Sequence, residues 1–179
     1  MRLLLAVPGS VLWLLSDNLW ADDNLHREAM ARGVAPERLI FAPKLPMAEH
    51  LARHRLADLF LDTFPYNAHT TASDALWMGL PVLTLAGRGF ASRVAGSLLH
   101  ALGLPELITT DLAEYQRLAL ALAGEPARLA AIRCHLEAVR ASAPLFDLDR
   151  TRREIEQAYE QVWEVHRRGY QPRTFMAGR

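Results

Sequence analysis

The sequence has a single cysteine, Cys134, so no intrachain disulfide can form, and a reducing, cytoplasmic setting is expected. It has no net charge: 20 basic side chains balance 20 acidic ones. That balance argues against bulk attraction to nucleic acid or to an anionic membrane, so neither is expected as a partner. His50 and His54 stand at the i, i+4 spacing of a metal pair, but no third ligand with suitable spacing follows, and no metal is expected. No apolar run approaches the roughly 20 residues that span a bilayer. Met1-Arg2 followed by Leu3-Leu4-Leu5-Ala6-Val7 resembles the opening of a secretory signal. Pro8-Gly9-Ser10 splits the stretch, however, and no small-x-small cleavage site follows before Asp22-Asp23. The start is read as a helix end, a turn and a strand. Also missing are a Gly-x-Gly-x-x-Gly fingerprint after the first strand, a Walker loop and the Gly-x-Ser-x-Gly elbow of hydrolases.

What is present describes a globular protein. Of 179 residues, 51% are hydrophobic and 22% charged, too apolar for intrinsic disorder and long enough for one domain with a real core. Apolar runs at 11–15, 39–42, 59–61 and 81–85, with a weaker one at 106–109, do not alternate with polar residues. Such runs suit strands buried on both faces of a parallel sheet. Between them, 22–32, 48–54, 71–78 and 92–102 read as helices, stopped by Gly33, Gly79 and Gly103 with Pro36, Pro81 and Pro105 close behind. Strand alternating with helix predicts an α/β fold, an open, doubly wound, Rossmann-like parallel sheet. Past Asp111 only helices are expected, at 112–122, 126–140 and 149–168. In the last, Ile155, Tyr159, Val162, Trp163 and His166 form one stripe, which calls for a packing partner. The expected organisation is a lobe over 1–146, a packing helix over 147–169 and a frayed tail over 170–179. Cys134, mid-helix and without an activating neighbour, is expected to be a buried structural thiol.

Ligands of such sheets bind beyond the carboxyl ends of the strands. Three loops qualify. Asp62-Thr63-Phe64-Pro65-Tyr66-Asn67-Ala68-His69-Thr70-Thr71 opens a helix with a small polar run. Free N–H groups, two hydroxyls and the helix dipole suit a phosphate or diphosphate there. The same residues also read as a plain capping box, with Thr71 as N-cap and Asp74 three residues on. Asp74 sets a tension, because a carboxylate repels a diphosphate; it must face a neutral hydroxyl, such as a ribose, or remain a cap. In the second loop, Lys44-Leu45-Pro46-Met47 leads to His50 and Arg53, which share a helix face and read either as ligand groups or as a solvated face. The third, Gly87-Arg88-Gly89-Phe90, reads more simply as a turn.

Several strings then point one way. Val7-Pro8-Gly9-Ser10-Val11-Leu12-Trp13-Leu14-Leu15, Glu49-His50, Leu56-Ala57-Asp58-Leu59-Phe60-Leu61-Asp62-Thr63, His69-Thr70-Thr71, Asp74-Ala75-Leu76-Trp77, Phe90-Ala91-Ser92-Arg93-Val94-Ala95, Ser142-Ala143-Pro144-Leu145-Phe146 and Tyr159-Glu160-Gln161-Val162-Trp163-Glu164 occur in order. Together they resemble the C-terminal catalytic lobe of O-linked N-acetylglucosamine transferases and their bacterial and plant SPINDLY-like relatives, over about residues 2–169. The resemblance implies a GT-B glycosyltransferase, inverting and metal-independent, acting on Ser and Thr hydroxyls with a UDP-sugar donor and no cofactor. It implies that His69, Thr70 and Thr71 hold the donor diphosphate, that Asp74 reaches the ribose, and that His50 lies against the uracil. Backbone near Leu45 would read the base edge, and Arg53 takes a matching basic position. Met47 stands where the animal enzymes have a lysine, and the SPINDLY branch can use fucose, so UDP-N-acetylglucosamine is the first choice of donor and not the only one. The family's lobe opens with a further strand, whose loop supplies a glutamine and a lysine; on this reading both precede Met1. So do the other lobe and the tetratricopeptide repeats that present the acceptor protein. The isolated chain is therefore expected to be inactive and prone to self-association through an unpaired sheet position and the last helix. Two other readings stay open: a lobe of another GT-B or UDP-sugar enzyme, and a non-catalytic module that binds a nucleotide or a protein.

Overall fold

Short runs that are apolar at successive positions have little choice but to bury both faces. The computed structural model, which describes residues 1–176, makes strands of five: β1 (Leu12–Leu15), β2 (Leu39–Ala42), β3 (Phe60–Leu61), β4 (Val82–Leu85) and β5 (Ile108–Thr109). Every pairing is parallel, with Leu12 opposite Leu39, Phe60 opposite Val82 and Thr84 opposite Ile108. All four residues of β4 are buried, which is why its run shows no alternation. One open sheet was expected. Among the described residues the strands instead form two hydrogen-bonded sheets, β1–β2 and β3–β4–β5.

Helices fill the intervals. α1 (Arg2–Ala6) is followed by a turn into β1, as the opening residues predict. α2 (Leu19–Ala31) begins where the Asn18 side chain accepts from the N–H groups of Trp20 and Ala21, a standard N-cap. α3 (Met47–Arg53) tightens into a 3-10 turn over His54–Leu56. α4 (Thr70–Trp77) leads to Gly79, whose φ of 79° ends it as the sequence predicts. α5 (Val94–Ala101), α6 (Leu112–Gly124) and α7 (Pro126–Val139) complete the first unit, with α4, α5 and α6 packed on β4. Leu76, Leu83, Leu99 and Leu122 are fully buried there. A second cluster, Leu4, Ala29, Val34 and Leu39, seals α1 and α2 on β2.

The chain divides into two compact units, Met1–Ala138 and the segment from Val139. In the second, the Asp147 side chain caps α8 (Leu148–Arg167) by accepting from Arg150 N–H. α8 buries no residue: Ile155, Tyr159, Val162 and Trp163 are 50–72% exposed, and ion pairs such as Arg152–Glu156 cover other faces. The last three residues of the expected tail, Gly178 included, lie outside the described residues. A further expectation is corrected. Cys134 is exposed. α7 turns Ile132 and Leu136, four apart, inward, and the residue midway between them points the other way. No described helix is long and apolar enough to cross a membrane.

Candidate functional site

β3 ends at Leu61, and the next residue organises the loop beyond it. Asp62, 6% exposed, accepts from Thr63 N–H at 2.8 Å and Ala68 N–H at 2.7 Å through Oδ1, and from the Thr84 hydroxyl at 2.6 Å through Oδ2. Its backbone carbonyl takes the Tyr115 hydroxyl at 3.0 Å. Burial pushes the Asp62 carboxyl up from its ordinary range, while the three hydrogen bonds and the nearby His69 pull it back. Burial, with Asp62 beside it, also pushes the Tyr115 phenol up. Asn67, 1% exposed, adds a second set of ties: its Nδ2 donates to the carbonyls of Thr63 and Leu85, and its N–H to that of Ala91. The loop is thus bonded to β4, to the 86–93 loop and to α6 before it enters α4.

The helix start differs from the capping box. α4 begins at Thr70, one residue early, and His69 takes the N-cap position with no side-chain cap bond. Thr71 is therefore not the N-cap; Asp62, reached through the fold, holds the loop that a local cap would hold. The first backbone bond of the helix runs from Ser73 N–H to the His69 carbonyl at 3.1 Å, so the N–H groups just before it have no helical partner. Thr70 and Thr71 are exposed, and Asp74 is half-buried one turn on, on their face. Tyr66 stacks on His69 with centroids 5.0 Å apart, and Phe90 meets its edge at 6.0 Å. Two atoms here, Asn67 Oδ1 and His69 Nε2, are buried without a hydrogen-bond partner among the described residues. Among buried polar groups such vacancies are uncommon.

The second expected group sits on α3. His50 and Arg53 are not simply a solvated face: Arg53 Nη2 lies 2.7 Å from His50 Nδ1, its Nη1 donates to the Pro43 carbonyl at 2.9 Å, and its guanidinium lies 5.7 Å over the Trp13 ring. Burial first, then the charge of Arg53 and the neighbouring His54, hold the His50 imidazole below its ordinary range. Asp74 acts in the opposite sense, so the α3 histidine and the α4 carboxylate feel each other. Leu45 lies in the loop between β2 and α3. The structure thus gathers the expected residues into two groups, His69, Thr70, Thr71 and Asp74 at the start of α4 and His50 and Arg53 in the last turn of α3. The sequence reading had Asp62 and Asn67 in its first candidate loop but gave them no role, and it missed the part played by Thr84, Tyr115 and Trp13. Only the polar Asp62-Thr63 closing an apolar strand was a local signal for any of them.

Comparison with known proteins follows the same lines. Residues 1–155 match Glycosyl transferase family 41. The chain is 40% identical over 175 residues to the probable UDP-N-acetylglucosamine–peptide N-acetylglucosaminyltransferase SEC of Arabidopsis thaliana, covering 97% of this chain and 18% of that protein. It is 36% identical over 168 residues to the UDP-N-acetylglucosamine–peptide N-acetylglucosaminyltransferase of Caenorhabditis elegans, covering 94% of this chain and 15% of that one. A solved structure of a mutant O-GlcNAc transferase from Thermobaculum terrenum superposes with a TM-score of 0.83 at 37% identity, over 90% of this chain and 32% of that one. The chain spans less than a fifth of the length of these two curated relatives.

Proposed function

The chain belongs to glycosyl transferase family 41, and from that membership we propose that it forms the donor-binding part of a protein O-glycosyltransferase, with a UDP-sugar, UDP-N-acetylglucosamine first, as the donor. The observation that carries the reading is the loop pinned by Asp62 and Asn67, which delivers His69, Thr70 and Thr71 to the start of α4. Unpaired N–H groups, two exposed hydroxyls and an unpartnered imidazole nitrogen converge there, the chemistry that receives a diphosphate. Asp74, one turn on, meets a ribose hydroxyl, and His50 and the backbone near Leu45 hold the base, with Arg53 behind His50.

In this scheme a Ser or Thr hydroxyl of the acceptor protein attacks the anomeric carbon opposite the diphosphate and gives up its proton to a neighbouring base or to solvent. The bond to the diphosphate oxygen breaks with its electron pair, UDP departs, and the configuration inverts. Charge grows on the leaving diphosphate as that bond breaks. Dipoles already fixed around it by the pinned loop stabilise the transition state more than the ground state, without a metal in the scheme. Presentation of the acceptor falls to the rest of a longer protein, so the chain alone binds donor and transfers nothing.

Titration calorimetry tests the donor site. The 179-residue chain should bind UDP, and Thr70→Ala combined with Thr71→Ala should weaken it by at least about tenfold, as loss of two bonds to a charged group implies. No UDP binding by the unaltered chain, or equal affinity in the double variant, refutes the site. Sugar transfer to a peptide by the chain alone would refute the division of labour.

A further inference from the structure

His50 and His54 lie one turn apart, edge to face, with ring centroids 4.8 Å apart. Their partners give them opposite tautomers. A guanidinium stays protonated and only donates, so His50 Nδ1 must accept from Arg53 Nη2, and the proton of the neutral ring sits on Nε2. His54 Nδ1 faces the carbonyl oxygens of His50 at 2.9 Å and Leu51 at 3.3 Å. Carbonyls only accept, so His54 carries its proton on Nδ1. Arg53 can impose this because it is held elsewhere, by the Pro43 carbonyl just after β2 and over the face of Trp13 on β1. Its guanidinium therefore ties the α3 helix to β1 and to the residue that follows β2, and aims one nitrogen at His50.

We propose that Arg53 is a positioning residue that locks His50 as the Nε2–H tautomer, so that the α3 side of the donor site offers a fixed N–H donor to an oxygen of the bound nucleotide. The nucleotide part rests on the donor-binding reading above; the tautomer lock does not. A free imidazole samples both tautomers and, near neutral pH, the cation. A locked ring loses neither time nor free energy to that choice when ligand arrives. The charged and titratable groups facing His50 are Arg53 and His54 on its own segment and Asp74 from α4. Burial first, then Arg53 and His54, disfavour protonation of the ring and Asp74 opposes them, so the lock works with the larger part of the local field.

Long-range 1H–15N spectra of the 179-residue chain read the tautomer directly, with the His50 signals assigned by their loss in His50→Gln. The unaltered chain should show His50 protonated at Nε2 with Nδ1 bare, and His54 the reverse. Arg53→Met should give His50 a tautomer mixture and a higher titration midpoint. His54, bonded to backbone carbonyls, should keep its tautomer and so reports that α3 is still folded. UDP affinity should fall about three- to tenfold in Arg53→Met, the scale of one positioned hydrogen bond. A proton on Nδ1 of His50 in the unaltered chain overturns the lock whether or not the variant folds, and so does an unchanged tautomer in Arg53→Met. Equal UDP affinity in both proteins overturns the nucleotide role while the donor site stands. No UDP bound by an unaltered chain with the stated tautomers overturns the donor reading and leaves the lock supported.

Discussion

Asp62 places a carboxylate at 6% exposure with three neutral donors around it and, among the described residues, no cation hydrogen-bonded to it. Those donors would be stranded without it. Asp62→Leu should therefore destabilise the chain by about 2–4 kcal/mol, through buried N–H and O–H groups left unpaired. Asp62→Asn keeps the acceptor for Thr63 and Ala68, and its amide can donate to the Thr84 hydroxyl, so it should cost far less. Urea unfolding of the two variants checks this; equal losses would mean the ties do not matter. The pH dependence has a definite sign. Because burial raises the folded-state value of Asp62 above its ordinary 3.8, its contribution is fully present below that value and is lost as pH rises through the raised one. Relative to Asp62→Asn, the unaltered chain should therefore lose stability on going from about pH 4 toward neutrality. A flat difference between the two proteins across that range would contradict the assignment.

Elements are joined here by loops that leave little room. In the 86–93 loop, between β4 and α5, Gly87 N–H donates to the Ser92 carbonyl at 2.8 Å. A Cβ on Gly87 would stand 2.5 Å from Ser92 Oγ and 3.2 Å from the Phe64 ring. Gly87→Ala must push the Ser92 turn away from the Asn67 loop and should cost about 1–3 kcal/mol. Gly89→Ala, which meets nothing closer than 3.9 Å, should be nearly neutral. Thermal unfolding of the pair measures the difference, and a neutral Gly87→Ala would show that the two loops move freely. The same scale explains where the sequence reading of α4 went astray. A Thr71 cap was the best local solution, but the loop before it is bonded to Asp62, and the N-cap falls two residues sooner, at His69.

At the scale of the molecule, the second unit carries an amphipathic helix with its apolar stripe in solvent. Ile155, Tyr159, Val162 and Trp163 fall within one sector of α8, about the width that a packed helix buries. Ion pairs on its other faces are exposed and add little stability. The isolated chain should therefore self-associate as concentration rises, and Tyr159→Glu with Trp163→Glu should suppress it. Light scattering decides; a monodisperse monomer at high concentration refutes the stripe as a sticky surface. The alternation of strands and helices, and the all-parallel pairing, were legible because a doubly buried strand leaves a run without alternation. The break into two sheets was not, because a run records that a strand is buried but not which strand lies beside it.

By itself the sequence determined what is local: the periods of strands and helices, the glycines that end α2, α4 and α5 with positive φ, and the polar run that opens α4. Those features depend on torsion preferences and on residues within a few positions of one another. Tertiary structure decided the rest. Thr84 and Tyr115 reach Asp62 from 22 and 53 residues away, and Arg53 meets Trp13 across two strands. Cys134 faces solvent because Ile132 and Leu136 claim the inner side of α7. Bonds over such separations form only when packing brings the strands and helices together, and no local pattern carries that information.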